Sequence, residues 1–128
     1  MKLLLDTHLL IWSASKQARV PAAAVPLIEN PANELLFSVV SLWEIAIKRG
    51  LRRSDFPTEP RVLRDGLIKN GYQELLVNSE HAMAVEQLPS LHRDPFDRIL
   101  IAQAMVEGIT LLTTDSMVSQ YPQAIRKV

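Results

Sequence analysis

An α/β fold, a mostly parallel sheet covered on both faces by helices, is predicted by three features of this 128-residue sequence. Unbroken apolar runs such as Leu3-Leu4-Leu5 read as strands buried on both faces. Helical patterns, bounded by Ser, Asp, Pro, Gly and Asn-Gly, lie between these runs. Strands separated by helices imply right-handed crossovers and therefore parallel pairing.

In chain order, Lys2 to Leu5 reads as a strand and Thr7 to Ser15 as a helix that buries Leu9, Leu10 and Trp12. Pro21 to Glu29 reads as a second helix with proline in its first turn. Leu35 to Ser38 is a short strand. Val39 to Arg49 is a strongly apolar helix with Gly50 as its C-cap. A loop over Leu51 to Thr58 leads to a helix from Glu59 to Lys69, stopped by Asn70-Gly71. Glu74 to Val77 is a strand, and Ser79 to Gln87 a helix with Ser79 as N-cap. Asp94 to Glu107 is the clearest helix: Asp94 caps it, Pro95 sits in its first turn and Gly108 closes it. Ile109 to Thr113 is a strand. A short helix near Ser116 and a strand near Ala124 to Arg126 end the chain. The pattern does not give the strand order.

The length fits a single domain over residues 1–128. With 48% hydrophobic and 22% charged residues, the composition is that of a soluble globular protein. The sequence has no cysteine, which excludes disulfides, thiolate metal sites and thiol nucleophiles and suits a reducing cytoplasm. The first apolar run stops at Asp6, too soon for a signal-peptide core, and no other run approaches a membrane span. A soluble, cytoplasmic protein is expected, with no membrane partner.

The net charge is zero, which argues against a polycation that coats nucleic acid. Charge is nevertheless uneven. Lys48, Arg49, Arg52, Arg53, Arg61 and Arg64 stand against only Asp55 and Glu59 between residues 48 and 64. Such an arm suits a phosphate substrate near a cation site; a solvated, Arg-rich surface explains it equally well.

In open parallel sheets, sites form beyond the carboxyl ends of strands. Asp6 follows the first strand and Asp115 follows Leu111-Leu112, so both belong at one sheet edge. Each candidate acid also has an ordinary role open to it. Asp6 can cap the following helix, although a carboxylate at the exit of a buried strand calls for a compensating cation. Glu44, on an otherwise apolar helix, can pair with Lys48 one turn on. Asp97, three residues after the Asp94 cap, can complete a capping box or face the helix dipole. Asp115 can cap a short helix. Thr113 and Thr114 can orient a metal-bound water or simply fill a strand.

As a set, the acids are consistent with one chemistry. Hard divalent cations take oxygen ligands. Clustered carboxylates repel one another, and a cation relieves that repulsion and lowers the pKa of a bound water. His8, His81 and His92 show no metal-ligand spacing; the first two read as helix surface and the third as a loop residue. No glycine forms a phosphate loop, and no serine sits in a nucleophile elbow.

Leu4-Leu5-Asp6-Thr7-His8, the segment Ser38 to Ile45 with its Trp43-Glu44, Asp94-Pro95-Phe96-Asp97-Arg98 continuing to Ala104, and Leu112-Thr113-Thr114-Asp115 closely resemble the PIN-domain family. The resemblance runs nearly end to end and is strongest to the VapC toxins of type II toxin–antitoxin pairs. It implies a three-layer α/β/α sandwich and Mg²⁺- or Mn²⁺-dependent endoribonuclease activity. It maps the metal acids onto Asp6, Glu44, Asp97 and Asp115, and the accompanying hydroxyl onto Thr113; the fourth acid varies more within the family. It also implies a small antitoxin whose C-terminal tail blocks the site, and a homodimer.

The expected mechanism is in-line attack of activated water on an RNA phosphodiester, leaving a 5′-phosphate and a 3′-hydroxyl. Arg49, Arg52 or Arg53 would hold flanking phosphates and Arg98 would bias the acids. Two other classes are weighed against it. A phospho-acceptor receiver domain needs an aspartate at the mid-chain strand exit, where Leu36-Phe37-Ser38 offers none. A non-catalytic binding subunit that keeps only the PIN fold has no reason to retain all four acids.

Overall fold

The computed structural model describes residues 1–128. Five strands and six α-helices alternate along the chain: β1 (Lys2–Leu5), α1 (Thr7–Ser15), α2 (Val25–Glu29), β2 (Glu34–Ser38), α3 (Val39–Gly50), α4 (Pro60–Lys69), β3 (Gln73–Leu75), α5 (Ser79–Ala84), α6 (Pro95–Glu107), β4 (Thr110–Thr113) and β5 (Ile125–Lys127). All four strand pairings are parallel, in the order β3-β2-β1-β4-β5. The chain leaves β1 for β2 on one side and returns to β4 on the other. The carboxyl end of β1 is therefore the switch point where α/β sheets open a crevice.

The Leu run of β1 is buried on both faces because its side chains alternate. Leu3 and Leu5 join Leu9, Leu10, Ile45, Phe56, Leu63 and Leu67 in one core, beneath α1, α3 and α4. Leu4 joins Ala84, Leu88, Leu100, Ile101 and Ala104 in the other, beneath α5 and α6. The result is the three-layer α/β/α sandwich expected. No helix is long and apolar enough to cross a membrane.

Several local expectations change. The helix expected from Pro21 begins at Val25, because Pro26 has no N–H to give the Ala22 carbonyl. Gly50 does not cap α3. The helix runs through it, and Arg52 takes the left-handed position at φ 58°. There the Arg53 N–H reaches the Lys48 carbonyl (3.1 Å) and the Arg52 N–H the Arg49 carbonyl (2.9 Å), a Schellman closure with arginine where glycine is usual. β3 is shorter than expected because its ladder ends where β2 ends, at the pair Ser38 and Leu75. The N-cap of α5 is Asn78, not Ser79. Its side chain accepts from the His81 N–H while His81 Nδ1 accepts from the Asn78 N–H, both at 3.1 Å. His81 is accordingly fully buried, with Nε2 3.0 Å from Glu107, and is not helix surface. Near Ser116 there is only a 3₁₀ turn, Val118–Gln120.

Candidate metal centre at the carboxyl edge of the sheet

Asp6 is the residue after β1 and is held from two directions. Its Oδ1 accepts the Leu9 N–H (3.0 Å) and so caps α1; its Oδ2 accepts the Thr113 hydroxyl (2.7 Å) and the Thr114 N–H (3.3 Å). The register explains the second contact: Leu5 pairs with Leu112, which sets the next residues, Asp6 and Thr113, side by side. Burial raises the Asp6 pKa despite the hydrogen bonds from Leu9, Thr113 and Thr114. Thr113 is wholly buried, and its hydroxyl oxygen also accepts the Asp115 N–H at 3.0 Å. Its single proton goes to Asp6, so Thr113 ties the first and last acids together and has no proton left for a water.

Glu44 lies on α3, which starts at the exit of β2 under a Ser38 cap. It is buried, and Thr7 Oγ1 lies 2.6 Å from its Oε1 and 3.0 Å from Ser41 Oγ. A carboxylate can only accept, so it takes the Thr7 proton. The other oxygen pairs with Lys48, as the spacing allowed.

Asp97 lies in the first turn of α6. Asp94 caps that helix through the Phe96 N–H (2.8 Å) and the Asp97 N–H (3.3 Å). The Asp97 side chain does not close a capping box; it turns to His92 Nε2 at 2.8 Å. Burial, then the like charges of Asp94 and Glu44, raise its pKa to about 7; His92 opposes the shift and Asp6 adds to it. Asp115 Oδ1 accepts the Met117 N–H at 2.7 Å, while Oδ2 lies 3.8 Å from His92 Nε2.

Four segments distant in the chain thus meet. Asp6, Glu44, Asp94, Asp97 and Asp115 line one cleft of about 230 Å³ together with Thr7, His8, Lys48, His92 and Thr114, and no apolar residue borders it. A larger hollow of about 460 Å³ among Ile28, Leu35, Val62, Leu63 and Tyr72 contains no carboxylate and lies elsewhere. Within the cleft, the one set of acidic or histidine donors that could hold an ion, with all donor atoms within 4.8 Å of one another, is His92, Asp97 and Asp115.

The expected arginines divide. Arg98 does not face the acids. Its guanidinium donates to the carbonyls of Pro89 (2.9 Å) and Val85 (3.1 Å) and to the Tyr121 hydroxyl (3.1 Å). Arg53 pairs with Asp55 at 3.0 Å, and Asp55 in turn meets His8 at 3.3 Å. Arg49 and Arg52 are exposed and make no ion pair. Sequence reasoning weighed Lys48 only as an alternative to function, gave Thr7 no part beyond capping, and set His92 aside as a loop residue. The crowding of charge in His92 to Arg98 was the signal available for the last.

A divalent-cation site beyond the switch point of a five-stranded parallel sheet is what this fold and these oxygens define. Residues 3–123 match the family model of the PIN domain, and the chain belongs to that family. Ribonuclease VapC22 of Mycobacterium tuberculosis is 30% identical over 112 residues, covering 88% of this chain and 85% of the relative. Among solved structures, VapBC2 from Rickettsia felis, bound to a DNA fragment from its promoter, superposes with a TM-score of 0.74 at 14% identity, covering 100% of this chain and 99% of that one. DNA-bound VapBC from Salmonella typhimurium gives 0.68 at 18% identity, covering 99% and 98%. These two likenesses are of fold.

Proposed function

We propose that the chain is a divalent-metal-dependent endoribonuclease and the toxin of a VapBC-type pair, acting in the cytoplasm as a homodimer and silenced by a small cognate antitoxin. The observation that carries this reading is the convergence of Asp6, Glu44, Asp97 and Asp115 on one cleft without apolar lining, where mutual repulsion holds Asp97 near pKa 7. The kinship to a protein named a ribonuclease supports RNA as the substrate.

The donor set fits Mg²⁺ or Mn²⁺, which take oxygen ligands and tolerate retained waters. Asp6, Glu44, Asp97 and Asp115 are the residues that would hold it. When bound, such an ion would neutralise the clustered charge and make a water more acidic beside the scissile phosphate. The chain's own residues do the rest. Thr113 and Thr114 fix the Asp6 carboxylate, and Thr7 fixes that of Glu44, so neither must reorganise as charge develops. Lys48 places a positive charge on the cleft wall. Arg49 and Arg52, exposed at the end of α3, are available to flanking phosphates. The apolar hollow between α1, α2 and α4 offers a seat for the antitoxin.

Incubation of the purified protein with total RNA, with Mn²⁺ or with chelator, tests the chemistry. Metal-dependent fragments bearing 5′-phosphates are expected, and none from Asp6→Asn. Metal binding without any cleavage across diverse RNA would favour a non-catalytic binding subunit instead. Co-expression with the adjacent small reading frame tests the toxin role, since growth arrest should be relieved only when that frame is present.

A further inference from the structure

Resting on the metal-site reading above, we infer that His92 is a positioning residue: its Nε2–H holds the Asp97 carboxylate in place, and the imidazole does not itself ligate the cation. Distances alone suggest otherwise. Nε2 lies 2.8 Å from Asp97 Oδ2 and 3.8 Å from Asp115 Oδ2. Adjacent ligands on an ion at about 2.1 Å stand roughly 3 Å apart, so His92 has the spacing of a ligand.

The other ring nitrogen decides. A ligating histidine almost always donates its second N–H to a carboxylate, a carbonyl or water. Here Nδ1 faces a donor, the Asp94 backbone N–H, at 3.5 Å. Nδ1 must therefore offer its lone pair, which leaves the ring proton on Nε2, aimed at Asp97. A protonated nitrogen cannot bind a metal ion.

The loop is clamped so that this hydrogen bond holds its geometry. The His92 N–H donates to the hydroxyl of Tyr121 at 2.8 Å, and Tyr121 is buried. Arg98 donates to the same hydroxyl and to the carbonyls of Val85 and Pro89. Arg98 follows Asp97 directly on α6, so one helical turn carries both the acid and the anchor of the acid's partner. Asp97 needs such a partner because Asp94 and Glu44 repel it. This clamp accounts for the density of charge in His92-Arg93-Asp94-Pro95-Phe96-Asp97-Arg98 and for an arginine that never reaches the cleft.

The test is Mn²⁺ calorimetry on the full chain, with thermal unfolding as a control and ¹⁵N NMR of the imidazoles at saturating Mg²⁺. His92→Phe, which fills the space but cannot donate, should weaken Mn²⁺ binding by about 10-fold or more, the scale seen when a hydrogen-bond partner of a ligand is removed. His92→Gln, whose amide N–H can reach the same place, should return affinity to within about 3-fold of the native chain. The NMR spectrum should keep the Nε2–H tautomer after Mg²⁺ is added. Native affinity in His92→Phe overturns the inference, as does loss of the Nε2 proton on Mg²⁺ binding, which would make His92 a ligand. Should His92→Phe fail to fold, the glutamine variant and the NMR signature still decide. If native protein and Asp6→Asn bind Mn²⁺ alike, the metal-site reading itself fails, an outcome distinct from failure of the role given to His92.

Discussion

Two aspartates at the starts of helices, Asp6 before α1 and Asp97 in the first turn of α6, face the same cleft from different environments. Asp6 accepts three hydrogen bonds from its own scaffold, two backbone N–H groups and one buried hydroxyl. Asp97 has one side-chain partner, His92, and a ring of like charges. Burial raises both pKa values, yet only Asp97 is pushed further by neighbouring carboxylates. The contrast separates two tasks. Asp6 is fixed before any ligand arrives, whereas Asp97 holds repulsion that a cation would relieve.

The largest expected effects fall on catalysis. Asp6→Asn and Asp97→Asn should each lower RNA cleavage about 100-fold or more, roughly 2.7 kcal/mol of barrier. Initial rates on a defined RNA would show this, and full activity of either folded variant would remove that residue from the mechanism.

Stability without metal should part the two residues. A carboxyl whose folded pKa is raised contributes its stability at low pH and loses it as pH rises through the folded value. For Asp97 the window runs from about 4 up to about 7. Chelated protein should therefore lose on the order of 2–4 kcal/mol across that range from this group, and Mn²⁺ should offset the loss above pH 7. Denaturant titrations of native chain and Asp97→Asn at pH 4.5 and 8 would measure it. Asp97→Asn should flatten the slope; an unchanged slope means the repulsion is not there.

Thr113→Val removes one of the bonds that prearrange Asp6 and should cost about 1–3 kcal/mol at pH 7, since it leaves a buried carboxylate less well satisfied. The smallest effect is away from the cleft. Arg52→Gly should stabilise the chain by about 0.5–1 kcal/mol, because glycine adopts the left-handed position that closes α3 without steric cost. Thermal melts would detect either change, and a destabilised Arg52→Gly would mean that Arg52 makes contacts that outweigh its strain.

Much of the fold was legible because it is local. The Leu run of β1, the Asp94-Pro95 start and Gly108 end of α6, and the Asn70-Gly71 stop after α4 each announce themselves within a few residues, and the structure keeps them. Errors arose where a neighbour in space overruled a local signal. Asn78 caps α5 because His81 answers it and then pairs with Glu107 on another helix. His92 read as a loop residue because its partner lies five positions on and its clamp twenty-nine. Arg98 read as a guard of the acids because sequence proximity to Asp97 says nothing about direction: on a helix, consecutive residues point about 100° apart.

From residue order alone come the alternation of strands and helices, the parallel sheet, and an acid at the exits of β1 and β4. These follow from periodicity and capping, which act over one or two turns of chain. The strand order, the shared cleft of Asp6, Glu44, Asp97 and Asp115, and the choice of which side chains pin them were decided only by the packed molecule. Burial and charge–charge repulsion depend on distance through space, and no spacing along a chain encodes that distance directly.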